Sequence, residues 1–334
     1  MKSCLIGITA CLIILVSGCM ESLQKLSFGS PGTDLSLKFQ EGEVLRYRLV
    51  SDKTLDTNLH PSKPRKMRVP PPNQRFDIVL RYETIEIDSY GIATLNVYCD
   101  SVSAAPLSPA HVDAIETLAG KNFTITVGPD GGIYDKTQLI NIIQEVGDAS
   151  FLKPPDGRDP NKERVKDPDI VDDFTAIQWF LWDSLSSIET SIDSLQVGDK
   201  WKSYLPVPTA TVVRPAREVI YKLSEIKRTD KGRIAVINST YKQTDVVPSD
   251  WPPFPWSGEF LLTGNVGFFM SVFQGLVVVS LEGHGQELFN IDLGRIESSE
   301  QEYKVIFRPR VSPMPGTDPI ITMEQKVKVQ LLKD

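Results

Sequence analysis

Along residues 35–49, apolar side chains occupy alternate positions. Leu35, Leu37 and Phe39 come first; past the Glu41-Gly42-Glu43 turn come Leu45, Tyr47 and Leu49. A period of two marks a half-buried antiparallel strand, because successive side chains leave opposite faces of the backbone. Phe76, Ile78, Leu80 and Tyr82 continue the pattern, and the phase slips at Ile85 and Ile87, which predicts a bulge or bend. Ser89-Tyr90-Gly91 turns the chain into Ala93, Leu95, Val97 and Cys99. Phe123, Ile125 and Val127 form a further strand, closed by Gly128-Pro129-Asp130-Gly131-Gly132, where Gly and Asp accept the positive φ of a tight hairpin. After Gly198, strands are predicted at 200–205, 217–227, 234–242, 260–273, 276–281, 287–292, 299–308 and 320–332, with Gly283-His284-Gly285 read as a turn. Short connections of this kind give an antiparallel meander and disfavour a βαβ array.

Two helices interrupt the strands. Asp135 caps a short one carrying Leu139, Ile140, Ile143 and Val146, with Gly147 as its stop. The second opens at Asp167-Pro168, has Asp169, Asp172 and Asp173 at the positive end of its dipole, and repeats Phe174, Ile177, Leu181, Leu185, Ile188, Ile192 and Leu195 at spacings of three and four. This predicts one long amphipathic helix over 170–195, widened by Trp179, Phe180 and Trp182 and buried against something broad, such as the concave side of a sheet. The expected fold is therefore mainly β (α+β): curved antiparallel sheets with one long amphipathic helix and one short helix.

The strand pattern also suggests two repeated halves. Gly42-Glu43 before Arg46-Tyr47 parallels Gly198-Asp199 before Lys202-Ser203-Tyr204. The stretch from Tyr82 to Val97 parallels Tyr221 to Ile237, and Phe123 to Val127 parallels Phe289 to Leu293. Chance is the competing account, since all hairpins share glycines and alternation. The resulting organisation is a first β-rich half over 34–150, a loop and helix over 151–197, and a second β-rich half over 198–334. Residues 61–72 and 153–169 read as polar, proline-bearing loops.

The N-terminus carries the most specific motif. Lys2 precedes an apolar run from Leu5 to Val16, and Val16-Ser17-Gly18-Cys19 closes it. The run is too short for the ~20 residues that span a bilayer and matches a signal-peptide core; the alternative is an uncleaved anchor or a buried helix. This segment resembles the lipobox of bacterial lipoproteins. The resemblance implies cleavage after residue 18, diacylglyceryl on the Cys19 thiol, a lipidated tether over 19–33 and a membrane partner reached through the lipid anchor. Met20 follows the cysteine where Asp often signals inner-membrane retention in that family, which implies the cell envelope, at the outer membrane facing the periplasm. The Gly198-Asp199-Lys200-Trp201 segment resembles one found in β-rich bacterial lipoproteins of uncharacterised role. More distantly, the layout resembles half-barrel lipid-carrier lipoproteins of the lipoprotein-localisation-factor type, whose curved sheet encloses an apolar cavity closed by helices.

Composition narrows function mainly by exclusion. The formal net charge of −7 becomes −8 once Lys2 leaves, which argues against nucleic acid as a partner. Cys4 and Cys11 leave with the signal peptide and Cys19 is expected as a thioether, so Cys99 stands alone, as a small buried apolar residue, and no internal disulfide is expected. His60, His111 and His284 are scattered, and no metal-binding, phosphate-loop or nucleophile-elbow motif is present, so neither cofactor nor enzyme activity is expected. The carboxylate pair worth weighing is Glu282 with Asp292. The aromatic residues point elsewhere. Trp179, Phe180 and Trp182 on the helix would line an apolar cavity, with Trp251, Phe254 and Trp256 at its mouth, or folded back as a plug. The expected function is non-catalytic binding or carriage of an apolar small molecule or lipid; the alternative is a structural or assembly protein with an envelope protein as partner.

Overall fold

The computed structural model describes residues 32–58, 73–105, 115–149, 151–152, 164–165, 169–189, 194–207, 215–252, 276–310 and 318–333. Strands β1 (Val44–Asn58), β2 (Asn73–Ile87), β3 (Ala93–Ala105), β4 (Asn122–Val127) and β5 (Ile133–Asp135) form one meander. Helix α1 (Thr137–Ala149), the short strands β6 (Phe151–Leu152) and β7 (Arg164–Val165), and helices α2 (Asp169–Phe180) and α3 (Asp183–Ser186) follow. A second meander comprises β8 (Lys200–Pro206), β9 (Ala216–Thr229), β10 (Gly232–Thr244), β11 (Leu276–Asn290), β12 (Arg295–Pro309) and β13 (Ile320–Leu331).

The two meanders are one curved antiparallel sheet of 11 strands in the order β5-β4-β3-β2-β1-β13-β12-β11-β10-β9-β8. The seam is β1 against β13, paired from Tyr47 opposite Leu331 to Asn58 opposite Ile320. β5 and β8 therefore lie at the two ends of the pairing order, and the helical segment stands between them in the chain. It crosses the inner face, which holds the alternate residues of each strand: Leu49, Ile78, Leu80, Leu95, Val97 and Ile125 are buried there with Leu139, Ile143 and Phe174 of the helices.

The same backbone device opens each half. Gly42 (φ 76°) donates its N–H to Thr84 O at 2.9 Å and Thr84 N–H returns to Glu43 O at 2.9 Å. Gly198 (φ 108°) donates to Leu223 O at 2.7 Å and Leu223 returns to Asp199 O at 3.1 Å. One residue later each partner strand bulges, at Ile85 between the Thr84–Leu95 and Glu86–Thr94 pairs, and at Ser224 between Leu223–Ile237 and Glu225–Val236. The third sequence parallel shifts by four residues. Val127 pairs with Ala93 as Phe289 pairs with Ala235, so Phe289 stands where Val127 does, not Phe123. Alternation repeats every two residues and cannot by itself set register.

Two local expectations also change. The single helix read over 170–195 is broken at Leu181-Trp182, and the described residues from Ser187 onward leave helical form. The break lets Asp183 and Ser184 turn into the sheet, where both are bonded. Helix α1 also runs past Gly147 to Ala149, while Asp135 caps it as expected, accepting the Thr137 N–H at 2.9 Å.

Gly283-His284-Gly285 is not a turn but the middle of β11, which joins the two strands read on either side. Both glycines face inward beneath Tyr241. A Cβ on Gly283 would come within 2.4 Å of Glu302 O and 2.7 Å of Tyr241, and one on Gly285 within 2.4 Å of the Tyr241 hydroxyl. These glycines are space for a ring, which sequence patterning reads as a break. Gly283→Ala should therefore lower unfolding free energy by about 1–3 kcal/mol, whereas His284→Ala, on the exposed face, should stay within about 0.5 kcal/mol. Urea unfolding of both variants checks the contrast.

Candidate functional site

The inner face changes character across the seam. In the first half it is mainly apolar, with Ser51, Lys53 and Thr84 the buried polar exceptions on its strands; in the second it carries Ser239, Tyr241, Glu287, Ser299 and Tyr303, together with Arg217 from β9, all buried. Each is on the inward register of its strand, so the sheet itself points them at α2 and α3.

Three sets of contacts hold the helices there. At the seam, the Lys53 ammonium lies 3.3 Å from Asp173 of α2, with both side chains about 5% exposed. Gln325 donates to the same Asp173 oxygen at 2.9 Å and to Ser51 at 2.8 Å, and accepts from the Tyr303 hydroxyl. In the first half, Tyr82 donates to Gln178 at 3.1 Å and packs edge-on against Trp182 at 5.8 Å between ring centres. In the second, Tyr221 and Ser203 each donate to Asp183 at 2.8 Å, the Trp201 indole N–H donates to Ser184 O at 2.8 Å, and Ser184 donates to Glu287. Tyr82 and Tyr221 each stand two residues before the bulging pair of their half, so each half contributes one buried tyrosine to the helical crossing.

Between α2, α3 and the second half remains a partly open cavity of about 70 Å³. Ile177, Phe180, Leu181, Leu205 and Val329 form its apolar wall; Arg217, Ser239, Glu287, Gln301 and Tyr303 form its polar wall. Burial pushes the Asp183 carboxyl up to about 6, against the pull of the Tyr221 and Ser203 hydrogen bonds and the Arg217 charge. Burial also pushes Glu287 up to about 7, opposed by the Ser184 hydrogen bond and reinforced by the Asp183 charge. Cys99 is buried in β3, and burial raises its thiol to about 12, as a packing residue requires.

The sequence-derived residues disperse on this frame. Phe180 lines the cavity. Trp182 is in the packed core against Tyr82 rather than in the cavity wall. Trp179 is half-buried with Lys136 Nζ 4.1 Å above its ring. Trp251 is half-buried beside β8, donating to Tyr204 O at 3.2 Å. Cys19, Phe254, Trp256, His60 and His111 lie outside the described residues, as do 61–72 and 260–273. Glu282 and Asp292 do not meet: Glu282 faces outward from β11, and Asp292 sits in the β11–β12 turn, ion-paired to Arg233 at 2.6 Å. The half-buried Asp183 and the buried Glu287 feel one another's charge instead. Sequence reasoning passed over both, along with Arg217, although a charge on the inward parity of an alternating strand is a readable signal at Arg217, Glu287 and Lys53. Among the described residues no group of His, Cys, Asp or Glu is arranged to hold a metal, and no helix is long and apolar enough to cross a membrane.

No protein-family model matches the chain, and no curated protein matches it. Among solved structures, one of lipovitellin, described by its lipid–protein interactions, aligns over 89% of this chain with 14% identity and a TM-score of 0.43. This chain spans about a quarter, 26%, of that protein's length. A mutant Rh. blastica porin aligns over 87% of this chain and 99% of its own at 7% identity and a TM-score of 0.20. Both likenesses are too distant to indicate a function.

A carboxyl that gains protons on folding stabilises most where the unfolded chain is ionised least. Glu287, raised from 4.5 to about 7, favours the folded state below pH 4.5, and that contribution is lost as pH rises to about 7. Glu287→Gln keeps an acceptor for Ser184 without the charge. It should match the parent at pH 4 and exceed it at pH 8 by on the order of 1–3 kcal/mol, read from urea unfolding at the two pH values.

Proposed function

We propose that this protein is a non-catalytic binding module of the bacterial cell envelope, tethered by lipid on Cys19, that receives the apolar or amphipathic part of a small ligand between its sheet and helices. The observation that carries the reading is the cavity between α2, α3 and the second half, with one apolar and one polar wall. Such two-sided lining suits a ligand with a short apolar portion and a polar head. At ~10–15 Å³ of accessible space per water, 70 Å³ has room for about five waters. That suits a head group and a few carbons, and it is well below the ~300–1,000 Å³ of a full ligand pocket.

A second reading, an envelope scaffold with a protein partner, is favoured by the dense filling of the first half, where Leu139, Ile143 and Phe174 are fully buried against the sheet. Native mass spectrometry with organic extraction separates the two. A co-purifying amphiphile is expected under the binding reading; a clean apo mass with no uptake of added lipids moves the assignment to the scaffold. The anchor has its own test. Labelled palmitate should enter the parent protein and not Cys19→Ser, which should shift from the membrane to the soluble fraction; equal labelling of both would refute lipidation at Cys19.

A further inference from the structure

We infer that the cavity takes the carboxylate of a monoanionic amphiphile, a short-chain carboxylic acid or the head of a longer one, with Arg217 as its counter-charge. This rests on the proposed binding function and names the head group.

Arg217 is 5% exposed, so its charge has been taken almost wholly out of water. Its guanidinium sits in the corner between the perpendicular rings of Tyr241 and Tyr303, 4.5 Å from each centre, and its Nη2 donates to Gln301 at 3.0 Å. Nε and Nη1 are buried with no hydrogen-bond partner among the described residues. Buried charges are paired in folded proteins, and a buried N–H without an acceptor costs about 1–3 kcal/mol. The other buried cation on this face obeys the rule, since Lys53 has Asp173. Asp183 feels the Arg217 charge, yet no acid among the described residues hydrogen-bonds the guanidinium's Nε or Nη1. Asp183 is taken by Tyr221 and Ser203, and Glu287 by Ser184. Arg217 stands in the cavity wall, and the space beside it is what an incoming acceptor would fill. Its two unpartnered nitrogens are closed off from water, so an acceptor reaches them only if the guanidinium turns toward the cavity.

The neighbours select the anion. Asp173 and Glu287 line the cavity, with Asp183 beside Glu287, and a doubly charged phosphate would meet all three. A single carboxylate meets less repulsion and satisfies the planar donors of a guanidinium well. Across the cavity, Ile177, Phe180 and Leu181 offer an apolar wall for the methylenes beyond the head.

The test is isothermal titration calorimetry on the full-length protein in nanodiscs, with empty nanodiscs subtracted, using acetate, hexanoate, 1-hexanol and hexyl phosphate. Hexanoate is expected to bind at least tenfold more tightly than 1-hexanol. Arg217→Gln should erase that preference, and Arg217→Lys should keep part of it. Equal binding of hexanoate and 1-hexanol overturns the role of Arg217 and leaves the apolar-binding reading standing. Binding of neither overturns both. Hexyl phosphate tenfold tighter than hexanoate overturns the head-group assignment. Acetate as tight as hexanoate supports Arg217 as a carboxylate site for a free small acid and overturns the apolar part of the reading. The wild-type panel alone decides each of these, so a variant that fails to fold leaves the answer intact.

Discussion

The pairing of β1 with β13 is the constraint on which the rest of this molecule depends. It joins the first strand of one meander to the last strand of the other, in unbroken register from Tyr47–Leu331 to Asn58–Ile320. Because each meander then runs outward from or inward to that seam in the same sense, β5 and β8 are driven to opposite edges. The chain between them runs over the inner face, where α2 and α3 are bonded to strands of both halves. The helical crossing, the burial of the inner face and the cavity under α2 and α3 all result from that one edge-to-edge pairing.

The crossing is secured by polar groups at both of its helices and at the seam, which is an expensive way to hold a core. A buried ion pair such as Lys53–Asp173 contributes little net stability after desolvation, but loss of one partner is costly. Its value is positional. Apolar helix faces slide over apolar sheets at little cost, whereas Asp173 to Gln325 and Lys53, Gln178 to Tyr82, and Asp183 to Tyr221 and Ser203 each fix one point of α2 or α3 over one strand. The break at Leu181-Trp182 belongs to the same logic, since a continuous helix would carry Asp183 and Ser184 past the strands that bind them.

The strands and most of their turns were legible, because a period of two and a positive-φ glycine have direct local causes. What escaped was set by partners distant in sequence. Gly283 and Gly285 read as a break because nothing local announces a ring from β10 lying over them. The helix over 170–195 kept its periodicity through the point where it ends, since Leu185 is buried whether or not the helix is continuous. The aromatic residues were overvalued as site markers: Trp182 is bulk in the core, and of the helix set only Phe180 reaches the cavity. The charged residues were undervalued, although Arg217 and Glu287 occupy inward positions among Val219, Tyr221, Leu223 and Phe289.

The asymmetry of the two halves locates function on a fold that otherwise repeats itself. Both halves open with the same glycine device, bulge at the same step and send one tyrosine to the helices. Away from Ser51 and Lys53 at the seam and Tyr82 and Thr84 on β2, the first half then fills its inner face mainly with aliphatic residues. The second replaces that filling with Gly283, Gly285, Ser239 and Ser299, and the volume those small residues release is occupied by two tyrosine rings, a guanidinium and an incompletely filled cavity. Small residues opposite large polar ones would be a poor choice for stability alone, since a void forfeits contacts on its lining and a buried charge loses its hydration. An inner face that is mainly apolar in the other half surrounds a polar space here, which is the arrangement the proposed binding reading requires.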